Sequence, residues 1–506
     1  MLSKVHSHGL NGLTGFPVII EADVSPGMPH YETVGLPDAA VKESRERVSA
    51  AIKHSGFFLE PSRITINLAP ADVRKEGSVY DLPIALALLV AAGKLYAVPE
   101  DIVFLGELTL GGELRAVNGV LPMVIDAFRN GTRVFAVPKE NVAEASYIDG
   151  ATILPVSNLA QLVHHLRGDA PIIPAPTRKF SREKLVYAAD FSEIRGQEAA
   201  KRAAEIAVAG GHNLLLYGTP GSGKTMIARA LPSILPELTF EEALEITKIH
   251  SIVGGTRSAH GLITERPFRS PHHGASAAAL VGGGIQATPG EISLAHFGVL
   301  FLDELPEFHR TVLEALRQPL EDGCITVSRA AATATYPASF VLAAAMNPCP
   351  CGNFGSRVKQ CTCSPVQIRR YTSRISGPLL DRIDIQIEMT EVGYEELASR
   401  QAGEASADIR ARVNRARQLQ RERLAPHGLH FNAQMKNAHI QKYCRPDERT
   451  EKFIRLAYDR MKLSARAYQR ILKVARTIAD IAGEENLTYT HVAEAVQYRA
   501  AAIEGN

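Results

Sequence analysis

Residues 213–225 read NLLLYGTPGSGKT, and this stretch decides the fold of the chain. The apolar run from Leu214 to Leu216 predicts a short strand that is buried on both faces. Gly218 to Thr225 fit the pattern G-x-x-x-x-G-K-[ST], whose glycines let backbone N–H groups approach phosphate oxygens. A helical pattern follows at once, so that the helix N-terminus faces the anion. The stretch therefore predicts a nucleotide-binding loop in an α/β domain.

Two side chains of this loop have specific expected roles. Lys224 is expected to reach the β- and γ-phosphates of ATP, and Thr225 is expected to hold Mg²⁺ through its hydroxyl. The residues expected to surround the phosphates are Gly218, Thr219, Pro220, Gly221, Ser222, Gly223, Lys224 and Thr225.

A second apolar run, Val299 to Leu302, ends in two acids. Ligands of open α/β sheets bind at the carboxyl ends of the strands, so both acids are expected near the phosphates. Asp303 is expected to support Mg²⁺ and Glu304 to polarise the attacking water, because phosphoryl transfer depends on positioning and charge neutralisation.

Composition excludes little beyond a membrane protein. The 506 residues contain 56 Lys and Arg against 54 Asp and Glu, a balance that neither announces nor excludes a nucleic-acid partner, since a ring can concentrate charge in its pore. The first ten residues lack the apolar core of a signal peptide, and the longest apolar run, near Leu82 to Gly93, is too short to span a bilayer. We expect a soluble cytoplasmic protein with no membrane partner.

Four of the six cysteines lie in one short segment, NPCPCGNFGSRVKQCTCSP. Their spacing is C-x-C, nine residues, C-x-C, and four thiolates can close a tetrahedral structural Zn²⁺ site. The alternatives are reduced thiols in a loop or a redox-labile cluster. The candidate ligands are Cys349, Cys351, Cys361 and Cys363.

The pattern along the chain divides it into four parts. Residues 1–168 alternate strand-like and helix-like segments, which predicts an α/β domain. Residues 169–187 are rich in proline and charge and predict a linker. Residues 188–391 form the nucleotide-binding α/β core, and residues 392–506 predict a helical lid.

In the first part, the predicted strands are 17–24, 63–71 and 132–138, the predicted helices are 38–57, 81–95 and 120–131, and residues 102–117 predict a hairpin.

Two stretches of the first part, FLGELTLGGELRAVNGV and RKEGSVYDLPIAL, resemble the proteolytic domain of Lon-type proteases. In that family the second stretch carries a nucleophilic serine, and a lysine base follows the first. This chain has Val79 and Leu121 at those positions, so the resemblance implies a catalytically inactive domain used for assembly or binding. The alternative is that Ser78 is a displaced nucleophile that pairs with Lys75.

The core resembles AAA+ ATPases at two further places. A motif of the form I-x-G-Q-E precedes the loop, and the resemblance implies that Ile194 and Gly196 lie against adenine; the alternative is an ordinary helix N-terminus. Asn347 follows the apolar run SFVLAAAM and is similar to the sensor asparagine that helps to hold the lytic water. The alternative is that an asparagine before proline forms a turn.

The stretch RISGPLLDRIDIQIEM resembles a segment shared by MCM helicases and magnesium chelatase ATPase subunits. The resemblance implies that Arg382 is an arginine finger that enters the neighbouring subunit's site, where it would contribute roughly 10³–10⁵ in rate. The alternative is a surface arginine paired with Asp381 or Asp384. Arg466 resembles the second sensor arginine of the lid, with Arg470 as the weaker candidate.

Two insertions, residues 264–297 and 320–340, occupy places where the MCM and chelatase branch carries hairpins that point into a central pore. The second insertion predicts a β-hairpin, CITVSR against ATATYPASF. Basic side chains there are candidates for contacts with a DNA backbone, the alternative being solvated loop charges. The candidates are Arg269, His272, His273 and Arg329.

Across nearly the whole chain, the order of features is similar to the ComM/YifB family of magnesium-chelatase-like AAA+ proteins, with RSPHH, NPCPCG and RISGPLLDRID as the specific motifs. The resemblance implies a homo-hexameric ring that hydrolyses ATP with Mg²⁺, translocates on DNA and drives branch migration during natural transformation. Two alternatives remain at this point: a magnesium chelatase motor, and a protein-remodelling ATPase that does not act on DNA.

Overall fold

A computed structural model describes residues 2–181, 187–255, 261–284, 287–328, 333–356, 358–398 and 403–500. Up to residue 168 the chain alternates strands and helices, in agreement with the predicted α/β fold class. Its elements are β1 (Leu2–Asn11), β2 (Thr14–Ser25), β3 (His30–Val34), α1 (Ala39–His54), β4 (Arg63–Ala69), α2 (Asp81–Ala91), β5 (Ile102–Phe104), β6 (Glu107–Leu108), β7 (Leu114–Arg115), α3 (Val120–Arg129), β8 (Val134–Pro138), α4 (Val142–Ala145), β9 (Thr152–Val156) and α5 (Leu159–Arg167).

This N-terminal domain contains two larger sheets around one core and the two-stranded sheet β6-β7. The first has the order β1-β2-β4-β3, in which only β3 and β4 are parallel, and the second is the parallel sheet β5-β8-β9. Helix α2 is buried along its whole length and packs against β1 and β2. The predicted hairpin at residues 102–117 is confirmed only at its centre, where β6 pairs with β7, because β5 joins the other sheet.

The next part of the chain carries the phosphate-binding loop. Its elements are α6 (Glu198–Gly210), β10 (Leu214–Gly218), α7 (Lys224–Ile234), α8 (Phe240–Ile252), β11 (Phe268–Arg269), α9 (Ala277–Val281), β12 (Gly282–Gly283), β13 (Thr288–Pro289), α10 (Glu291–Leu294), β14 (Val299–Leu302), α11 (Arg310–Ala315), α12 (Arg317–Asp322), β15 (Cys324–Ser328), β16 (Thr333–Pro337), β17 (Val341–Met346), α13 (Pro365–Thr372), α14 (Gly377–Leu380) and β18 (Ile385–Met389).

The central sheet of this part is parallel and has the order β11-β14-β17-β10-β18. The inner strands β14, β17 and β10 are buried along nearly their whole length, so that the alternating side chains are covered on both faces of the sheet. In β10, Leu214 and Leu216 enter a core shared with α6 and α7, whereas Leu215 enters the core beneath the insertions. The predicted buried strand before the loop is confirmed.

Both insertions lie on the second of these cores. The predicted hairpin of the second insertion is confirmed: β15 pairs with β16 in antiparallel register from Cys324–Pro337 to Ser328–Thr333. The Tyr336 hydroxyl donates to the Ala287 carbonyl at 2.9 Å, which ties this hairpin to the first insertion.

The C-terminal part is helical, as predicted. Its elements are α15 (Tyr394–Ala398), α16 (Ser406–Leu424), α17 (Asn437–Tyr443), α18 (Glu448–Arg460), α19 (Ala465–Ala482) and α20 (Tyr489–Ala500). Helices α16 and α19 pack against α6. Two arginines of α16 form ion pairs within the chain: Arg412 contacts Glu205 at 2.6 Å and Arg423 contacts Asp480 at 2.6 Å.

The N-terminal domain packs on the nucleotide-binding part at the C-terminal end of α8. The Gly119 N–H donates to the Ser251 carbonyl at 3.0 Å, and the Ser251 hydroxyl donates to the Glu144 carboxylate at 2.7 Å. Across the ranges that the structure describes, none of the helices has both the length and the apolar character required to traverse a bilayer.

Candidate active site

The loop between β10 and α7 is the centre of the site. Gly218 ends β10 beside β18, where a Cβ atom would lie 2.1 Å from the Met389 carbonyl oxygen. Gly221 and Gly223 have φ angles of 82° and 92°, values that side chains disfavour. The glycines therefore allow the loop to turn tightly and leave the N-terminus of α7 accessible to an anion.

The side chains of this loop fit a polyphosphate. The Lys224 ammonium is buried and donates to the carbonyl oxygens of Gly218 and Thr219 at 2.7 and 2.8 Å. Burial lowers the pKa of Lys224 to about 8. The buried hydroxyls of Thr219 and Ser222 have no hydrogen-bond partner within the described part of the chain. A bound triphosphate would satisfy both the desolvated cation and these donors.

Thr225 and Asp303 meet at the position expected for Mg²⁺. The Thr225 hydroxyl donates to the Asp303 carboxylate at 3.0 Å, which joins the first turn of α7 to the end of β14. A hydroxyl and a carboxylate are the hard oxygen ligands that Mg²⁺ prefers, so the pair fits the predicted metal.

Glu304 is in an unusual backbone conformation. Its φ angle is 53°, which is uncommon for a residue other than glycine, and its N–H donates to the Asp303 side chain at 3.0 Å. The carboxylate is half exposed, and His273 Nδ1 lies 3.5 Å from it. Such backbone outliers cluster at functional sites, which supports a hypothesis of function at this residue.

Asn347 lies at the same edge of the sheet as the loop and the acids. It directly follows β17, the strand between β10 and β14. The register pairs Met346 with Tyr217 and Ala344 with Leu302, so the three strands end together. The structure thus brings Asn347 to this edge, and its role as a sensor stays a prediction.

A cleft of about 580 Å³ opens beside the loop. Ile194 lines it, and Gly196, with a φ angle of 59°, forms the turn that leads into α6. Gln197 was not predicted as a site residue. Its Nε2 donates to the carbonyls of Ser222 and Thr390 at 3.1 and 2.6 Å, and so holds the turn against the loop.

The two predicted arginines share an acid on α12. Arg382 is buried, donates to the Pro378 carbonyl at 2.7 Å and forms an ion pair with Glu321. Arg466 is 62% exposed and lies 3.8 Å from the same carboxylate. Neither arginine is among the described residues that line the cleft of its own chain.

The alternative partners suggested for Arg382 are not the ones found in the described chain. Asp384 instead pairs with Arg470 at 2.9 Å and accepts the Asn213 N–H at 3.1 Å. Burial on its own would raise the pKa of Asp384, but the neighbouring Arg470 and His212 hold that pKa below its ordinary value. Arg470, the weaker sensor candidate, is thus held in an ion pair with the buried Asp384, beside the first residues of β10 and β18.

The DNA-contact candidates have different surroundings. The Arg269 guanidinium pairs with the Glu291 carboxylate through two contacts of 2.5 and 2.6 Å, so an acid already neutralises its charge. His272 is exposed, whereas His273 faces Glu304. Arg329 lies outside the described residues. DNA contact by any of the four stays a prediction.

The four clustered cysteines converge, and their ligand atoms lie within 4.8 Å of one another. The Sγ atom of Cys349 is 3.4 Å from that of Cys351 and 3.7 Å from that of Cys361, and the last two are 3.6 Å apart. Thiolates around one Zn²⁺ ion at their usual bond length are separated by about 3.8 Å. The cysteines are free thiols, and their sulfur spacings are compatible with a tetrahedral metal site.

The protease-like residues of the N-terminal domain are engaged with other groups. The Ser78 hydroxyl donates to Glu107, and the buried Lys75 ammonium donates to the Val73 carbonyl at 2.8 Å. Val79 and Leu121 are buried in the core. The hydrogen bonds of Ser78 and Lys75 thus go to different partners, and the inactivity of this domain stays a prediction.

Family models of magnesium chelatase match most of the chain. The model described as magnesium chelatase, subunit ChlI, matches residues 190–397, and that of its C-terminal part matches residues 403–499. A third, described as subunit ChlI of Mg-chelatase, matches residues 20–141.

Two named relatives match this chain over nearly its full length, and a third matches part of it. The uncharacterized protein YifB of Escherichia coli is 45% identical over 502 residues, covering 99% of this chain and 97% of the relative. The competence protein ComM of Haemophilus influenzae is 43% identical over 505 residues, with the same coverage. The magnesium-chelatase 67 kDa subunit of Chlorobaculum parvum is 28% identical over 164 residues, which cover 31% of this chain and 23% of that protein.

Proposed function

Because this chain belongs to the ComM/YifB family of magnesium-chelatase-like AAA+ ATPases, we propose that it is an ATP-driven ring motor that acts on DNA. The ring is most simply a hexamer of identical subunits in the cytoplasm. Its activity is that of a helicase that promotes branch migration during homologous recombination and natural transformation. Similarity to a competence protein over nearly the full length supports this choice of substrate.

The position of Arg382 and Arg466 carries the proposal of a ring. Phosphoryl transfer needs a cation beside the γ-phosphate, and a trans-acting arginine contributes roughly 10³–10⁵ in rate. In the single chain both arginines contact Glu321 and are absent from the described lining of the cleft. A neighbouring subunit would therefore supply the missing charge, so that each active site lies between two subunits.

The remaining chemistry belongs to the loop and the strand ends. Bound Mg²⁺ neutralises phosphate charge and bridges phosphate oxygens. Thr225 and Asp303 would hold the metal, and Lys224 would turn from the loop carbonyls to the β- and γ-phosphates. Glu304 would orient the attacking water, with Asn347 beside it.

The N-terminal domain would have no protease activity and would support the two insertions. A cavity of about 310 Å³ beside Ser78 is closed in part by Thr288 and Tyr336, which belong to the two insertions. The domain is thus in contact with the elements proposed to grip DNA. Movement of the insertions during the ATP cycle would be transmitted to this domain.

We also propose that Cys349, Cys351, Cys361 and Cys363 bind one structural Zn²⁺ ion. The mutual distances of the sulfur atoms support this assignment, and a site with four protein ligands is closed to substrate. The proposed cofactors are therefore ATP and Mg²⁺ for the reaction and Zn²⁺ for the architecture.

The test of function measures ATP hydrolysis with no DNA, with single-stranded DNA and with branched DNA, using Glu304→Gln as the control. We expect DNA to stimulate hydrolysis by the natural protein, and the substitution to abolish both basal and stimulated rates. Strand displacement and branch migration on the same substrates would follow.

Hydrolysis that is indifferent to every DNA substrate would contradict the proposal. The magnesium-chelatase similarity of residues 190–397 would then favour a metal-insertion or protein-remodelling motor, and a protein partner would be the next object of search.

A further inference from the structure

The segment between the first and last clustered cysteines, residues 349–363, is called here the cysteine loop. It begins two residues after Asn347 and contains neither helix nor strand among its described residues. Gly352 and Gly355 have φ angles of 82° and 79°, which let the chain reverse direction twice. Because the loop lacks secondary structure, its shape must depend on tertiary contacts or on a ligand.

The cysteine loop packs directly on the phosphate-binding loop. A Cβ atom at Gly352 would lie 2.6 Å from Pro220 Cγ, so glycine is needed for this close approach. Several residues of the cysteine loop line the same cleft as Ile194. These residues are Cys351, Asn353, Ser356, Val358 and Lys359.

A second set of contacts anchors the loop beside the end of β18. The Ser356 hydroxyl donates to the Glu391 carboxylate at 2.6 Å, and its oxygen accepts the N–H groups of Val358 and Lys359 at 3.1 Å each. Glu391 lies two residues beyond β18, the strand that passes beside Gly218. The cysteine loop thus spans from the end of β17 to the edge of the nucleotide cleft.

The sulfur cluster is the only structure within the loop that could hold its two ends together, as far as the described residues extend. Its sulfurs also accept backbone N–H groups: Phe354 donates to Cys349 Sγ at 3.3 Å, and Cys363 donates to Cys361 Sγ at 3.4 Å. Such hydrogen bonds to ligand atoms orient the ligands of metal sites.

We infer that Zn²⁺ bound by the four cysteines fixes the cysteine loop as a wall of the nucleotide cleft, so that ATP affinity depends on a metal that takes no part in hydrolysis. This inference rests on the proposed zinc site. Metal binding supplies the free energy that orders a segment of this kind, and without it the loop loses its folded shape. Loss of zinc would open the cleft on the side formed by the cysteine loop and leave the catalytic residues in place.

The test uses the full-length protein and three variants. Cys361→Ser removes one ligand, Gly352→Ala pushes the loop away from Pro220 while it retains all four ligands, and Cys324→Ser is the matched control outside the cluster. Zinc is measured by elemental analysis of freshly reduced protein. Affinity for a fluorescent ATP analogue with Mg²⁺ is measured separately from kcat at saturating ATP.

We expect the natural protein and Cys324→Ser to contain about one zinc per chain and to bind nucleotide equally well. Cys361→Ser should lose zinc and bind nucleotide about tenfold or more weakly, with kcat changed far less than affinity. Gly352→Ala should retain zinc and also weaken binding, because it displaces the wall alone.

The outcomes separate the two ideas. Absence of zinc from the natural protein would overturn the zinc site itself. Zinc that is present, and whose loss in Cys361→Ser leaves nucleotide affinity unchanged, would overturn only the inference that the metal supports the cleft. If Cys361→Ser and Gly352→Ala lowered kcat instead of nucleotide affinity, the cysteine loop would act on β17 and Asn347, and the inference would also fail.

Discussion

Two buried lysines of this molecule invite comparison, Lys75 in the N-terminal domain and Lys224 in the phosphate-binding loop. Each donates hydrogen bonds to carbonyl oxygens of its own segment, and burial lowers the pKa of each. Their neighbours differ. Ser78, near Lys75, already donates to Glu107, whereas Thr219 and Ser222, near Lys224, are buried without a partner in the described chain.

A desolvated lysine therefore does not make a site by itself. The surroundings of Lys224 include unpaired donors, a cleft and an acid beside the Thr225 hydroxyl, so that an anionic ligand would complete them. The surroundings of Lys75 are already complete within the chain. The nucleotide site is unfinished in a second respect, because its proposed transition-state cation comes from another subunit.

The largest expected effect tests this dependence on a neighbour. Arg382→Ala should lower kcat by roughly 10³–10⁵ and leave nucleotide affinity nearly unchanged, since the arginine serves the adjacent site. Steady-state ATPase assays and nucleotide binding measure the two quantities.

A mixing experiment provides the control. Lys224→Met and Arg382→Ala should each be inactive, yet an equal mixture should recover up to about a quarter of full activity, because random assembly restores some complete interfaces. A mixture that stays inactive, while the two variants co-assemble, would show that Arg382 acts within its own chain.

The next effect separates the two lysines directly. Lys224→Met should lower ATPase activity by about 10²–10³, because a preorganised charge beside the phosphates is lost. Lys75→Met should retain ATPase activity and lower the free energy of unfolding by about 1–3 kcal/mol, since the carbonyls of Pro70 and Val73 lose their donor. ATPase assays and denaturant unfolding of both variants measure this. Equal loss of ATPase activity in Lys224→Met and Lys75→Met would contradict the distinction between the two lysines.

A smaller effect is expected at the histidine pair. His273→Ala should lower kcat by about tenfold without a matching change in KM, because His273 Nδ1 faces the carboxylate of the proposed catalytic Glu304 at 3.5 Å. The exposed His272 supplies the matched control, His272→Ala, which should keep the basal rate. If His272→Ala had the larger effect on the basal rate, the contact with Glu304 would have no role.

The smallest effect concerns pH. The pKa of Lys224 is about 8 in the free protein, so the side chain is charged below that pH and neutral above it. Bound phosphate favours the charged form, and binding above pH 8 must take up a proton. Affinity for MgATP should therefore fall as pH rises beyond 8, by at most about tenfold per pH unit. Titration calorimetry at several pH values tests this, and Lys224→Arg, which stays charged, should show no such fall.

The strands that carry the nucleotide site could be predicted from the sequence, because uninterrupted apolar runs before Gly218, Asp303 and Asn347 are typical of a parallel sheet covered on both faces. Their order in the sheet could not be predicted, since hydrophobicity records burial and not the identity of the neighbouring strand. The finding that β17 separates β10 from β14 came only from the structure.

Strand β1 was missed for a different reason. It buries Ser3, Ser7 and His8, residue types that the pattern treats as exposed. Each is paired: Ser3 donates to the Ala87 carbonyl at 2.7 Å, Ser7 to the Phe104 carbonyl at 2.9 Å, and His8 contacts Asp126 at 2.8 Å. Long-range hydrogen bonds make such burial possible, and local sequence does not contain them.

The candidate site, too, could be predicted only as far as local sequence determines it. The predicted site residues belong to local motifs, whereas Glu321 belongs to none and acts through Arg382. Gln197 lies within the I-x-G-Q-E motif, but its contacts with Ser222 and Thr390 could not be predicted from that motif. The cysteine cluster was visible in the sequence, but its contact with Pro220 was not, because that contact depends on how two separate loops approach each other.

The contact of Glu321 with Arg382 and Arg466 has a consequence for the subunit before it assembles. One carboxylate contacts two guanidinium groups, of which that of Arg382 is buried and that of Arg466 is exposed. In the proposed ring, Arg382 must therefore leave Glu321 before it can reach the nucleotide of the neighbouring subunit. Assembly of the proposed ring would thus compete with an ion pair that already exists inside each chain.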